Sequence, residues 1–166
     1  MDLVVKHGLP PGAREDARLF ILGSLPGDAS LAAQRYYAHP QNAFWRLVGG
    51  VIGENLQSLA YPHRLEQLMQ NRIGLWDVIA HASRRGSLDQ AIRSAGHNPL
   101  ADFLAGFADL EAVAFNGSAA AVMGRRLLGA LNHLVLIDLP SSSPANTRPF
   151  AEKARAWAGL KDYCGQ

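Results

Sequence analysis

Four short apolar runs restrict what this chain can become: residues 19–22 (LFIL), 73–79 (IGLWDVI), 112–115 (AVAF) and 134–137 (LVLI). Each is short for a buried helix, and Asp77 is the one charged residue among them. Between them lie stretches of helical periodicity. Residues 42 to about 52 place Phe44, Val48 and Val51 on one face. Residues 62 to about 71 would bury Leu65, Leu68 and Met69, with Pro62 in the first turn. After a loop over 81–86, a short helix is expected from Ser87. Another opens at Asn98-Pro99 and carries Leu100, Phe103, Leu104 and Phe107 at i, i+3, i+4 and i+7. An Ala-rich helix spans 118 to about 128, and a last one, about 149–160, would bury Phe150, Ala154 and Trp157. Apolar strands alternating with helices predict an α/β fold: a four-stranded parallel sheet with helices on both faces.

In such sheets the carboxyl ends of the strands share one rim, and ligands bind there. The rule gathers pieces far apart in sequence: 23–28 (GSLPGD), 77–83, Asn116-Gly117 and 141–147 (SSSPANT). Strand one runs straight into Gly23-Ser24-Leu25-Pro26-Gly27, a turn that lets backbone approach a ligand. Soon after come Tyr36-Tyr37, His39-Pro40, Asn42 and Phe44-Trp45. So many stacking and hydrogen-bonding side chains on an irregular segment are hard to explain as core filling.

The bulk numbers fit this picture. A chain of 166 residues, 48% hydrophobic and 18% charged, suits one domain (1–166) with its own core, and residues 1–17 read as a lead-in segment. The single cysteine, Cys164, excludes an intrachain disulfide and any Cys-built metal cluster. No apolar stretch reaches the ~20 residues of a membrane span and no signal peptide is evident, so the cytoplasm is the expected compartment. Net charge is only +2, but 13 of the 16 basic residues are Arg. Arginine pairs bidentately with phosphate, and Arg84-Arg85 and Arg125-Arg126 form doublets. That balance permits a nucleic-acid partner without requiring one.

The rim assembles carboxamides (Asn42, Asn116, Asn146), a carboxylate (Asp77), hydroxyls (Ser24, Ser141, Ser142, Ser143), aromatics (Tyr36, Tyr37) and imidazoles (His39, His81). Carboxamides and a carboxylate read the edge of a heterocycle, a tyrosine lies against its face, and Ser-rich turns hold phosphates. These are the groups that receive a base turned out of a duplex.

The motifs GSLPG with YYAHPQNAFW (23–45), AFNG (114–117) and LPSSSPAN (139–146) resemble those of the uracil-DNA glycosylase superfamily. The resemblance is strongest to its hypoxanthine-DNA glycosylase branch, near the mismatch-specific uracil glycosylases, and spans about residues 19–158. It implies a three-layer α/β/α sandwich on a four-stranded parallel sheet. It also implies a monofunctional glycosylase that hydrolyses the N-glycosidic bond of a flipped hypoxanthine in double-stranded DNA during base excision repair. Uracil-specific relatives place Asp or Asn at the third position of the Gly-x-x-Pro turn to handle the attacking water, whereas this chain has Leu25. The resemblance moves that task to Asn42, which would position water for a dissociative reaction; Asn42 equally reads as a cap for the next helix. By the same resemblance Tyr37 stacks on the extruded base. Asp77 reads its edge or protonates it, and Gly23, Ser24 and Asn116 complete the base pocket. Ser141, Ser142, Ser143, Asn146 and Arg148 belong to the loop that grips DNA, with Arg148 or Thr147 a candidate wedge for the vacated stack. His39 is expected to hold the loop's shape.

No metal or cofactor is expected, and a monomer is. With no lysine expected on the rim, a Schiff-base lyase step is not. Other readings stay open: uracil opposite guanine as the main target, or a non-catalytic DNA- or nucleotide-binding domain. A hydrolase with Ser24 as nucleophile lacks the Gly-x-Ser-x-Gly elbow.

Overall fold

The computed structural model describes residues 4–84, 86–129 and 131–165. In chain order its strands are β1 (Val4–His7), β2 (Leu19–Gly23), β3 (Ile73–Asp77), β4 (Ile79–Arg84), β5 (Arg93–His97), β6 (Ala112–Asn116) and β7 (Val135–Leu139). The helices are α1 (Asp28–Ala33), α2 (Phe44–Ile52), α3 (Tyr61–Gln70), α4 (Leu100–Leu104), α5 (Ser118–Leu128) and α6 (Phe150–Trp157), the last continued by a 3-10 stretch, Ala158–Tyr163.

The expected parallel sheet is present, in the order β3-β2-β6-β7. Alternation along β2 divides the core. Leu19 and Ile21 face α2, α3 and α6, among Phe44, Val48, Leu68 and Trp157. Phe20 and Leu22 face α4 and α5, among Leu100, Leu104, Ala120 and Leu128. Residues buried on both sides explain why these strands read as continuous apolar runs. Gly124 lets α5 lie directly on Phe115, since a Cβ there would collide with the ring. Connections leave β2 toward β3 on one side and return to β6 on the other, so the chain reverses between β2 and β6. That reversal opens a crevice at their carboxyl ends.

A second sheet, antiparallel and three-stranded in the order β1-β4-β5, departs from the sequence reading. The lead-in segment holds β1, paired from Val4↔Arg84 to His7↔His81. The single run 73–79 splits at Val78 into β3 and β4, one strand for each sheet. The expected loop over 81–86 is mostly β4, and the expected helix from Ser87 is a 3-10 turn (Asp89–Ala91) followed by β5. These strands are short, half-exposed and interrupted by Gly96 and histidines, which hides them from a pattern search. Asn98 is not a cap; its Nδ2 donates to the Asp77 carbonyl at 2.8 Å. Leu65 and Met69 are only partly buried. Phe150 is 40% exposed, lying under the Arg46 guanidinium at 4.5 Å rather than in the core.

Candidate active site

A cleft of about 630 Å³ occupies the crevice at the strand ends. Gly23 to Gly27, Tyr36, Tyr37, His39, Asn42, Asp77, Asp89, Asn116 and Ser141 to Asn146 all line it. Every candidate residue named from sequence meets there except His81, Thr147 and Arg148. Arg148 is exposed beyond the end of the 141–146 loop, its N–H donating to Asn146 Oδ1 at 3.2 Å. His81 lies on β4, facing His7 in the small sheet.

Asp77 ends β3 with its carboxyl sealed in the cleft wall, the residue 3% exposed. Oδ1 faces Gly23, where a Cβ would come within 2.7 Å of it and 3.1 Å of the Tyr37 hydroxyl. Only glycine leaves that space. Oδ2 has no hydrogen-bond partner, and neither has the Tyr37 hydroxyl. Desolvation raises the Asp77 pKa to about 7; the negative charge of Asp89 adds to this, while Arg84 and the Gly23 backbone oppose it.

Tyr37 adopts a left-handed backbone, φ 53°, uncommon for a bulky residue and held here by its neighbours. Its carbonyl accepts from Trp45 Nε1 at 3.2 Å. One ring face stacks on Phe44 at 3.8 Å and 15°. Burial and the Asp77 charge both raise its hydroxyl pKa, so it stays protonated. Tyr36 has a different job: it is 5% exposed, and its hydroxyl donates to the Pro10 carbonyl at 2.7 Å. It ties the N-terminal segment to the core and offers the cleft little.

Asn42 precedes α2, and its Oδ1 accepts the Phe44 N–H at 2.9 Å. The carboxamide thus braces the first helical N–H from one residue before the N-cap, Ala43, rather than capping the helix itself, while lining the cleft. His39 Nδ1 accepts the Gln41 N–H at 3.1 Å, shaping the same loop. Leu25 packs its side chain onto Ile79 and Ala82 at the cleft wall, an apolar group that cannot hydrogen-bond a water.

Asn116 and Ser142 form a closed pair. Asn116 Nδ2 donates to Ser142 Oγ and Oδ1 accepts the Ser142 N–H, both at 2.9 Å. Most of the Asn116 amide is therefore committed to holding the loop, leaving one amide hydrogen for anything in the cleft. The loop is braced from within. Ser141 Oγ accepts from Ser143 N at 3.1 Å, Ser143 Oγ from Ala145 N at 3.2 Å, and Asn146 Nδ2 donates to the Ser141 carbonyl at 3.0 Å. These backbone N–H groups are already used, so phosphate contacts would fall to the hydroxyl hydrogens.

A lysine reaches this loop, contrary to the expectation from spacing. Lys153, on α6, sends Nζ up beneath it to the carbonyls of Asn146 (2.9 Å) and Ser143 (3.3 Å). The fold brings α6 under the rim, which linear position does not show. Lys153 is not among the lining residues.

Sequence reasoning passed over two groups. Arg84, read as half of a doublet able to pair with phosphate, is fully buried. It donates to the carbonyls of Gly86 (2.8 Å), Leu25 (3.4 Å) and Pro26 (2.5 Å), clamping the Gly-Ser-Leu-Pro turn. Arg85 lies outside the described residues. Asp89, on the 3-10 turn before β5, accepts the Ser24 hydroxyl at 2.5 Å. With that hydrogen committed and no histidine bonded to it, Ser24 is not arranged as a nucleophile. No periodicity marks Asp89; only its negative charge near a polar rim could have drawn notice. Lys6 closes the small sheet over the rim through Asp28 and the Gly86 carbonyl, both at 2.5 Å. Among the described residues no cluster of His, Cys, Asp and Glu could hold a metal ion, and no helix is long and apolar enough to cross a membrane.

The chain matches the family model of the uracil DNA glycosylase superfamily over residues 10–161. It is 42% identical over 153 residues to a hypoxanthine DNA glycosylase of Methanosarcina barkeri, covering 92% of this chain and 96% of the relative. A hypoxanthine DNA glycosylase of Methanosarcina acetivorans is 42% identical over 157 residues, covering 95% and 98%. A solution NMR structure of a candidate uracil DNA glycosylase from Methanosarcina acetivorans superimposes with a TM-score of 0.85 at 40% identity, covering 95% of this chain and 97% of that one.

Proposed function

The chain belongs to the uracil DNA glycosylase superfamily, and on that premise we propose that it is a monofunctional DNA glycosylase excising hypoxanthine from double-stranded DNA. The observation that carries this reading is the single cleft where a stacking ring, an edge-reading carboxyl and a carboxamide converge from separate strand ends. The free face of Tyr37 takes the extruded base, its other face being occupied by Phe44. Asp77, beside Gly23 and Ser24, meets the base edge, with the spare hydrogen of Asn116 near it. Asn42 positions the water that adds to C1′ as the base departs. A carboxamide is too weak a base to deprotonate water, so the reaction proceeds through a cationic sugar, where placement counts for more than basicity.

Ser141, Ser142, Ser143 and Asn146 present a pre-shaped loop to the DNA backbone, with Arg148 at its outer end. Preshaping limits the ordering penalty of binding. Lys153, the lysine that reaches this loop among the described residues, is tied to two carbonyls below it and is not placed to attack the sugar, which favours an intact abasic site as the product. A monomeric cytoplasmic enzyme belongs to the same proposal.

Uracil is the second reading, favoured by the 40% identical solved structure. Incubation with duplexes carrying deoxyinosine, deoxyuridine or deoxyxanthosine, followed by alkaline cleavage, decides between them. Release from deoxyinosine well above the others is expected. Salt-dependent binding to abasic DNA with no release from any duplex would leave only a binding domain.

A further inference from the structure

Two carboxyls, one ending β3 and one on the 3-10 turn before β5, line the cleft, and they differ in exposure and in hydrogen bonding. Asp77 is 3% exposed with Oδ2 unpartnered. Asp89 sits on an exposed turn, but its Oδ1 reaches inward to accept the hydroxyl of Ser24, itself 6% exposed. We infer that Asp89 is a positioning residue that stays ionised and keeps a proton on Asp77, and that this proton is delivered to the purine as it leaves.

The groups around Asp77 come from each element packed against it. The Gly23 backbone and Ser24 lie on the turn after β2, Tyr36 and Tyr37 on the segment after α1, Asp89 on the 3-10 turn, and Arg84 on β4. Asn116 ends β6 and carries no charge. Among the described residues Arg84 is the one cation that acts on both carboxyls, and its guanidinium also bonds the Leu25 and Pro26 carbonyls. One positive charge meets two acids in a confined space, so the pair ionises stepwise. Desolvation raises both pKa values, but the Ser24 hydroxyl and Arg84 pull Asp89 back toward its charged form. Asp77 has no side-chain donor on Oδ2 and feels the Asp89 charge, and it lies near 7. The second proton therefore stays on Asp77.

The inference rests on the glycosylase reading and adds the leaving-group half of the reaction. As the C1′–N9 bond breaks, its electron pair moves into the purine. The Asp77 proton passes to a ring nitrogen of the departing base, leaving Asp77 as carboxylate. Water adds its oxygen to C1′ and releases a proton to solvent, from which Asp77 is recharged. Asp89 keeps its charge throughout.

The test is the single-turnover rate of hypoxanthine release against pH, with 13C carboxyl NMR titration of the full-length protein. Wild type is expected to lose activity as pH rises through about 7, in step with the Asp77 carboxyl resonance. Asp89→Asn should move both to lower pH by roughly one unit, and Asp89→Glu should restore them. Base release with a flat wild-type profile, or a limb that Asp89→Asn leaves in place, overturns the inference while the glycosylase assignment stands. Should Asp89→Asn fail to fold, wild type alone suffices, since an Asp77 resonance titrating near its ordinary 3.8 overturns the inference. No release from any duplex at any pH sinks the glycosylase assignment and this inference with it.

Discussion

Asn116 grips Ser142 at both ends, giving one hydrogen bond to its hydroxyl and taking one from its N–H, each 2.9 Å. The pair joins the end of β6 to the loop after β7, and Ser142 is 1% exposed. Replacing Asn116 with Ala strands two buried polar groups. A loss of about 3 kcal/mol is expected in urea denaturation, with weaker binding to abasic DNA as the loop loosens. Unchanged stability would mean that the pair is incidental.

Gly23→Ala tests how tightly the pocket floor is built. The added carbon would stand 2.7 Å from Asp77 Oδ1 and 3.1 Å from the Tyr37 hydroxyl, so one of them must move. Overpacking of this kind costs about 1–3 kcal/mol. Because the displaced atoms are those proposed to meet the base, excision of hypoxanthine should fall by about 5- to 150-fold if that same energy is lost from the transition state. Full activity in the variant would argue that the base does not sit on this floor.

Asn42 separates a structural role from a chemical one. Asn42→Ala loses the acceptor for the Phe44 N–H, which should lower stability by about 1 kcal/mol. Excision should drop about 10²-fold, the effect of mispositioning a reactant. Asn42→Asp keeps the acceptor and should restore stability. An Ala variant that folds and excises normally removes Asn42 from the mechanism.

The sites that spacing revealed differ in kind from those it missed. β2, β3 and β6 were legible because strands covered on both faces are written as unbroken apolar runs, and β7, a half-exposed edge strand, because its run over 134–137 is equally apolar. The cleft followed from topology, since a reversal between β2 and β6 fixes where ligands approach. The small sheet was not legible. Val4–His7 and Arg93–His97 gain their strand character from pairing partners distant in sequence, and local pattern carries little of that. Arg84 read as a possible phosphate contact because nothing in its neighbourhood shows that three carbonyls await it. Asp89 was missed for the same reason. Asn116 was legible as a rim residue, but its commitment to Ser142 was not.

Burial of Asp77 should show in the pH dependence of stability. Its folded pKa, about 7, lies above the ordinary 3.8. Between those values the native state keeps a proton that the unfolded chain releases, so stability falls as pH rises through that window and levels off above it. The lost stability is on the order of a few kcal/mol. Asp77→Asn removes the slope and should raise Tm by roughly 5–10 °C at pH 8, with little change at pH 4. A variant equally stable at both ends relative to wild type would show that Asp77 is ionised in the native protein.

Lys153 gives the test of monofunctionality. Its ammonium is held by the Ser143 and Asn146 carbonyls, so borohydride should trap no covalent enzyme–DNA adduct. Strand breaks should appear only after alkali. A trapped adduct lost in Lys153→Met would make the enzyme a lyase as well.

One residue, Val78, separates the end of the parallel sheet from the start of the antiparallel one. The appendage beyond it carries Arg84 and Asp89, whose charges act on Asp77 in addition to its burial, yet among the described residues it adds none to the cores on either face of the main sheet. On the proposed reading, groups that tune the base edge are thus mounted on a separate fitting, fastened to the main sheet at the turn after β2. Insertions or deletions between β4 and β5 can retune which lesion is accepted while the foundation keeps its shape, and diversification of base preference should concentrate there.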